Sequence, residues 1–175
     1  IAIIYFLGSN LYTRIADGIF EEKIAASITE GDSAIQNANY RFIIASLNRS
    51  TDIATLVAEL VNSSDVSAKD SGREIAFFNS KDKEIRNIPE VTTSNFLEPS
   101  SISDELRSQV QKDDAIHWER TQLRYINGEV LDGLVVGERV SIPGVGNYEM
   151  YVLFGFDSQQ RTVDLIGRSM WGTGI

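Results

Sequence analysis

The sequence predicts an α+β domain: a long N-terminal helix and further helices packed on a mainly antiparallel sheet, closed by a C-terminal exit helix. Two patterns carry the prediction. Ile24, Ile28, Ile35 and Phe42 recur at spacings of 4, 7 and 7, with the small residues Gly31, Ala38 and Ala45 between them, which is the seam of a long helix. In the last third, three β-prone stretches are separated by Asn127-Gly128 and by Pro143-Gly144-Val145-Gly146-Asn147, the first of which is the strongest short hairpin signal a sequence carries. With 175 residues and 42 % hydrophobic content, the chain is long enough to bury a core as one domain without disulfide or metal.

The long helix starts near Leu11, and Glu21, Glu22, Lys23, Arg41 and Arg49 fall off its seam toward solvent. Gly31-Asp32-Ser33 weakens helix propensity and marks a site for a kink or break. The seam itself serves equally well as an intramolecular core contact or as a self-association surface. Ser50-Thr51-Asp52 supplies an N-cap for a second helix with an apolar face of Ile53, Leu56, Val57, Leu60 and Val61, ending at Asn62-Ser63-Ser64-Asp65. Glu74-Ile75-Ala76-Phe77-Phe78 reads as a short strand closed by Asn79-Ser80-Lys81-Asp82-Lys83, and residues 87–101 read as a meandering loop. Ser101 or Ser103 caps a third helix that buries Leu106 and Val110 and ends near Lys112-Asp113-Asp114.

Ile116–Ile126, Val130–Ile142 and Tyr148–Phe156 are the three strands, and in the last Tyr148, Met150, Val152, Phe154 and Phe156 share one face by two-residue alternation. Asp157-Ser158-Gln159-Gln160 has capping-box spacing and opens the exit helix through Val163, Leu165 and Ile166. The apolar run Ile1–Leu7 is far shorter than the ~20 residues a bilayer span needs. It and the apolar, Trp-containing end at Met170–Ile175 are read as stumps of two transmembrane helices, with boundaries at 1–8 and 167–175 around a folded domain at 9–166.

Composition excludes several chemistries. There are no cysteines, so thiol nucleophiles, thiolate metal sites and disulfides are ruled out. A net charge of −9 disfavours nucleic acid as a partner. A single histidine, His117, allows neither a His-rich metal site nor a choice of triads, and no metal or other cofactor is expected. Asp65, Asp70, Glu74, Asp82 and Glu84 are scattered without calcium-loop spacing, and Gly144-Val145-Gly146 lies between strands, where no nucleotide fingerprint belongs. In His117-Trp118-Glu119-Arg120 alternation sends His117 and Glu119 to one face, Trp118 and Arg120 to the other. The candidate ligand-binding residues are therefore Trp118, Arg120 and Arg124, which would line one sheet face and receive an anion; the plainer expectation is a solvated strand face. No catalytic residue is assigned.

From Ile102 onward a family resemblance enters. Ile102–Val110, Tyr125, Leu134-Val135-Val136-Gly137, the stretch Tyr148–Phe156 followed by Gln160–Ile166, and Tyr12–Lys23 near the N-terminus resemble the extracytoplasmic domain of the MtrB family of actinobacterial sensor histidine kinases. The resemblance covers about half the chain, leaves residues 50–100 unaccounted for, and departs at Gly155, where the family has proline. It implies a PAS/PDC-like sensor domain on the extracytoplasmic side of the bacterial cell membrane, in a homodimeric kinase answering osmotic or envelope stress. The implied partners are the response regulator MtrA, reached through a kinase core outside this segment, and an envelope lipoprotein such as LpqB. On that reading Ile24, Ile28, Ile35 and Phe42 on the entry helix, with Asp157 and Ile166 at the exit junction, transmit the signal. The competing expectation is the ectodomain of a chemoreceptor or a lipoprotein-docking module, which shares these features.

Overall fold

The structure is a computed structural model that describes residues 2–48, 52–71, 73–79, 91–93 and 97–156. Its elements in chain order are α1 (Ala2–Leu47), α2 (Ile53–Ser71), β1 (Arg73–Asn79), β2 (Val91–Thr93), a 3-10 turn (Pro99–Ser101), α3 (Asp104–Lys112), β3 (His117–Arg124), β4 (Val130–Ile142) and β5 (Gly146–Gly155). The strands form one antiparallel sheet in the order β2-β1-β5-β4-β3. The α+β architecture with a long N-terminal helix is thus the observed one; the exit helix expected at 157–166 lies outside the described residues.

At 1.5 Å rise per residue, the 46 residues of α1 span about 69 Å. Its seam turns inward. Ile35, Ala38, Phe42 and Ala45 are buried in the core between α1, α2 and the sheet, and Ile24 and Ile28 pack on its margin. The seam is therefore an intramolecular contact along its described length, and it resolves the choice the spacing left open. The break expected at Gly31-Asp32-Ser33 does not occur, since the helix runs through it. Gly31 is needed for approach instead: a Cβ there would stand 2.9 Å from the Val136 Cβ on β4. Gly18, exposed on the same helix, has nothing within 4 Å of such a Cβ. The expected result is opposite signs at the two glycines. Gly18→Ala gains about 1 kcal/mol from helix propensity, while Gly31→Leu loses about 2 kcal/mol by overpacking; paired chemical denaturation curves check it.

Asp52 caps α2, accepting from the Ala54 N–H at 3.2 Å and the Thr55 hydroxyl at 3.1 Å. The helix continues to Ser71, well beyond the end expected at Asn62–Asp65. The polar run there is no break, because Val66, Ala68 and Lys69 restore helix-compatible residues after it. Within the stretch expected as a meander, residues 91–93 form β2, paired as Phe77↔Thr92 and Phe78↔Val91, and Pro99–Ser101 form the 3-10 turn.

The sheet is covered on both faces. On one, Ile75, Phe77, Leu134, Val136, Val140, Tyr148, Met150, Val152 and Phe154 meet α1 and α2. On the other, Ala76, Phe78, Val135, Tyr151 and Leu153 meet Leu97, Ile102, Leu106 and Val110 from the 3-10 turn and α3. Hence β5 is buried almost throughout, whereas the edge strand β3 alternates half-buried and exposed positions, with Leu123 alone fully buried. The two turns behave as their glycines predict, with φ of 88° at Gly128 and 78° at Gly144. Among the described residues no helix is long and apolar enough to cross a membrane.

Candidate functional site

The residues singled out on β3 share a face, as alternation requires. Trp118, Arg120 and Arg124 pair with Val136, Leu134 and Val130 and stand on the α1 side of the sheet. The long helix covers β4 and β5 there and reaches β3 through Phe20, over whose ring the Arg120 guanidinium sits at 5.7 Å. A cleft of about 270 Å³ opens beside it, lined by Arg120, Thr121, Gln122, Asp132, Gly133 and Phe156. Arg120 is thus the one member of the predicted trio in the cleft. Trp118 is 46 % exposed on the open sheet face. Arg124 points its guanidinium at the Gln122 side-chain oxygen, 3.5 Å away.

The opposite face holds a polar centre that the sequence reading missed. Glu149, 1 % exposed, projects from β5 beneath α3. Its Oε2 accepts from Arg107 Nη2 at 2.8 Å, and its Oε1 accepts from Arg107 Nε at 3.3 Å, Gln111 Nε2 at 2.9 Å and the Tyr151 hydroxyl at 3.1 Å. The guanidinium also lies 4.3 Å over the Phe78 ring, which meets Tyr151 edge-on. Gly137 gives the Tyr151 ring its room, since a Cβ there would fall 2.5 Å from it. The hydrogen bond to Glu149 holds Arg107 above its ordinary pKa, and burial pushes the Tyr151 phenol up. With four donors on its two oxygens and 1 % exposure, this carboxylate is out of a substrate's reach. Its chemistry is that of a clamp, fixing α3 to the sheet.

The same helix is fastened at both ends. Ser103 is its N-cap, accepting from Leu106 N–H at 3.0 Å while donating its hydroxyl to Glu119 at 2.8 Å. Arg139 ties Asp114, beyond the C-terminus, at 2.6 Å. Ser101, the other cap candidate, instead exchanges hydrogen bonds with the Arg124 backbone. His117 bonds Asp113 at 2.8 Å, and that bond holds the Asp113 carboxyl below its usual range. Among the described residues no three His, Cys, Asp or Glu side chains gather as metal ligands.

Of the residues expected to transmit a signal, Ile24, Ile28, Ile35 and Phe42 converge on the α1–sheet interface, while Asp157 and Ile166 lie outside the described residues. One clue in the sequence marks both buried carboxylates that went unnoticed. Glu149 is the charge inside the apolar run Tyr148–Phe156, and Glu138 follows Leu134-Val135-Val136-Gly137. A charge in a strand buried on both faces has to be matched by something facing it.

A five-stranded antiparallel sheet with a long N-terminal helix on one face and a short clamped helix on the other is a fold this chain shares with a solved periplasmic sensory domain. The sensory domain of the Campylobacter jejuni chemoreceptor Tlp1 is similar over 88 % of this chain at 14 % sequence identity, with a TM-score of 0.50, and the chain spans 61 % of that solved chain's length. A sensory box histidine kinase/response regulator from Burkholderia thailandensis E264 is matched over 62 % of this chain and 95 % of its own, at 11 % identity and a TM-score of 0.32, and adds nothing to the assignment. No protein-family model matches the chain, and no curated protein matches it.

Proposed function

We propose that the chain is the extracytoplasmic signal-sensing domain of a bacterial membrane receptor, and carries no catalytic site of its own. The observation that carries this reading is the geometry of α1: one continuous helix whose inner face is seated on a sheet of sensory-domain fold. A shift of that helix relative to the sheet is a movement that can leave the domain along the helix axis. The Glu149 carboxylate, buried and held by four donors, favours a structural clamp over a catalytic role for that centre. An anionic ligand at Arg120, beside Phe20 of α1, is the proposed input on the exposed side of the sheet.

The finer proposal is a sensor histidine kinase of the MtrB type, reporting osmotic or envelope stress to a regulator such as MtrA, with a lipoprotein such as LpqB as an envelope partner. It rests on the sequence stretches that resemble that family. In it the receptor is a homodimer, and because the seam is used internally, the apolar surface α1 leaves for a second copy is Tyr40, Ile43, Ile44 and Leu47, at helical spacing and 64, 43, 47 and 80 % exposed. The chemoreceptor reading is kept because the sensory domain of Tlp1 shares the fold. Translating the gene beyond Ile175 separates them. A span of about 20 apolar residues followed by a helix with a phosphoacceptor histidine and an ATP-binding domain supports the kinase. The same span followed by a long signalling coiled coil supports the chemoreceptor, and a gene without any membrane span overturns both.

A further inference from the structure

Three buried carboxylates occur among the described residues, Glu74, Glu138 and Glu149, and they are not treated alike. Glu149 is met by the Arg107 guanidinium. Glu74 shares a hydrogen bond with the Tyr125 phenol. Both stand on the α3 side of the sheet. Glu138, 8 % exposed, stands in the middle of β4 on the other side, under α1.

Among the described residues no cation forms an ion pair with it. From α1 it meets the Gln36 amide, whose Nε2 lies 3.4 and 3.3 Å from the two carboxylate oxygens, long contacts to a neutral group. The other groups acting on it are carboxylates: Asp32, one turn earlier on α1, and Asp114 in the link between α3 and β3. From β5 its Cα partner is the apolar Met150, flanked by Tyr148, whose phenol burial pushes up to about 12. Arg139, next in sequence, points to the opposite face and is taken by Asp114 and the Gln111 carbonyl. A carboxylate so placed is costly when ionised and easily accommodated when neutral. The buried hydroxyl of Tyr148, on the neighbouring strand, also lacks a hydrogen-bond partner among the described residues.

We propose that Glu138 is a proton-operated latch between α1 and the sheet: protonation removes the buried negative charge and seats α1, and deprotonation loosens it. The latch belongs to the domain itself and stands whether the parent receptor is a kinase or a chemoreceptor. Burial first, and the Asp32 charge second, raise the Glu138 pKa above the usual carboxylate range. The folded domain therefore holds this proton more tightly than the unfolded chain does. The stabilisation is complete below the ordinary carboxylate pKa and is lost as pH rises through the raised, folded-state value.

The test compares thermal midpoints of the 175-residue chain and its Glu138→Gln variant from pH 4 to pH 8, with Asp32→Asn as a second variant that leaves the buried group in place. At pH 8 Glu138→Gln should melt about 3 °C higher than the natural chain, the shift about 1 kcal/mol produces at this size, and the gap should close toward pH 4. Asp32→Asn should recover part of the same gain. In parallel, hydrogen exchange along residues 32–42, corrected for the intrinsic pH dependence, should slow on acidification in the natural chain and not in Glu138→Gln. A gap that is constant with pH, a Glu138→Gln chain that melts lower at pH 8, or exchange that responds to pH equally in both would overturn the latch.

Discussion

Arg107→Ala should cost the domain about 3–5 kcal/mol, the usual penalty for removing one partner of a buried ion pair, and lower its melting midpoint by about 10 °C. The reason is local. Glu149 is 1 % exposed, and without the guanidinium it keeps the Gln111 amide and the Tyr151 hydroxyl as donors but no compensating charge. Arg107→Lys should recover little, because an ammonium cannot reproduce the two parallel bonds to Oε1 and Oε2. Replacing both partners, Arg107→Leu with Glu149→Leu, should recover most of the loss, since neither is then left charged and unmatched. Thermal melts of the two single variants and the double variant form the cycle that checks it. A near-additive double variant would mean that the pair does not hold α3 in the way its geometry implies.

Phe42→Ala should be comparably severe, at about 3–5 kcal/mol for emptying a buried aromatic site. Phe42 is 0 % exposed and meets Phe77 of β1 edge-on with ring centroids 6.0 Å apart, so its contacts lie within this chain. The loss should be the same at every protein concentration, and sedimentation should show an unchanged association state. Leu47, 80 % exposed on the same helix, gives the contrasting case. Leu47→Asp should leave the stability of one copy within about 0.5 kcal/mol. Melting of the Phe42→Ala variant that depended on concentration where the natural chain did not would point to a seam shared between copies.

Much of the architecture was legible because periodicity reports burial directly. The positions Ile28, Gly31, Ile35, Ala38, Phe42 and Ala45 were readable as one stripe, although the stripe could not say whether sheet or second copy would cover it. Gly31 was misread as a weak point because propensity is a local quantity, whereas its use is set by Val136, more than a hundred residues away in the chain. β2 escaped because three residues carry no alternation, and it exists only through its pairing with β1. The α2 end was drawn too early from polar composition, which costs a helix little once its apolar face is buried.

The site was less legible for a related reason. Alternation put Trp118 and Arg120 on one face, but the cleft beside Arg120 is completed by Asp132 and Phe156 from β4 and the end of β5, which only sheet pairing brings there. In β5 the face of Tyr148, Met150, Val152 and Phe154 drew attention, and the equally buried face carrying Glu149 and Tyr151 did not. That second face becomes visible only when α3 is known to cover it. Glu138 was hidden in the same way, as a charge whose cost depends on α1 lying above it.

The central claim is that α1 moves against the sheet when the receptor responds. These 175 residues contain no cysteine, so the domain itself adds no competing thiol to an engineered pair across that contact. Gly31→Cys with Val136→Cys would set two Cβ atoms 2.9 Å apart, so a further separation of about 1 Å reaches disulfide geometry. On the proposed osmosensing reading, the decisive measurement is the output of the full-length receptor carrying both substitutions, before and after an osmotic upshift, under oxidising and reducing conditions. The account predicts an intramolecular bridge on oxidation and an output that no longer changes with the upshift, with the response restored on reduction. A fully bridged receptor that still responds as the reduced one does would contradict it.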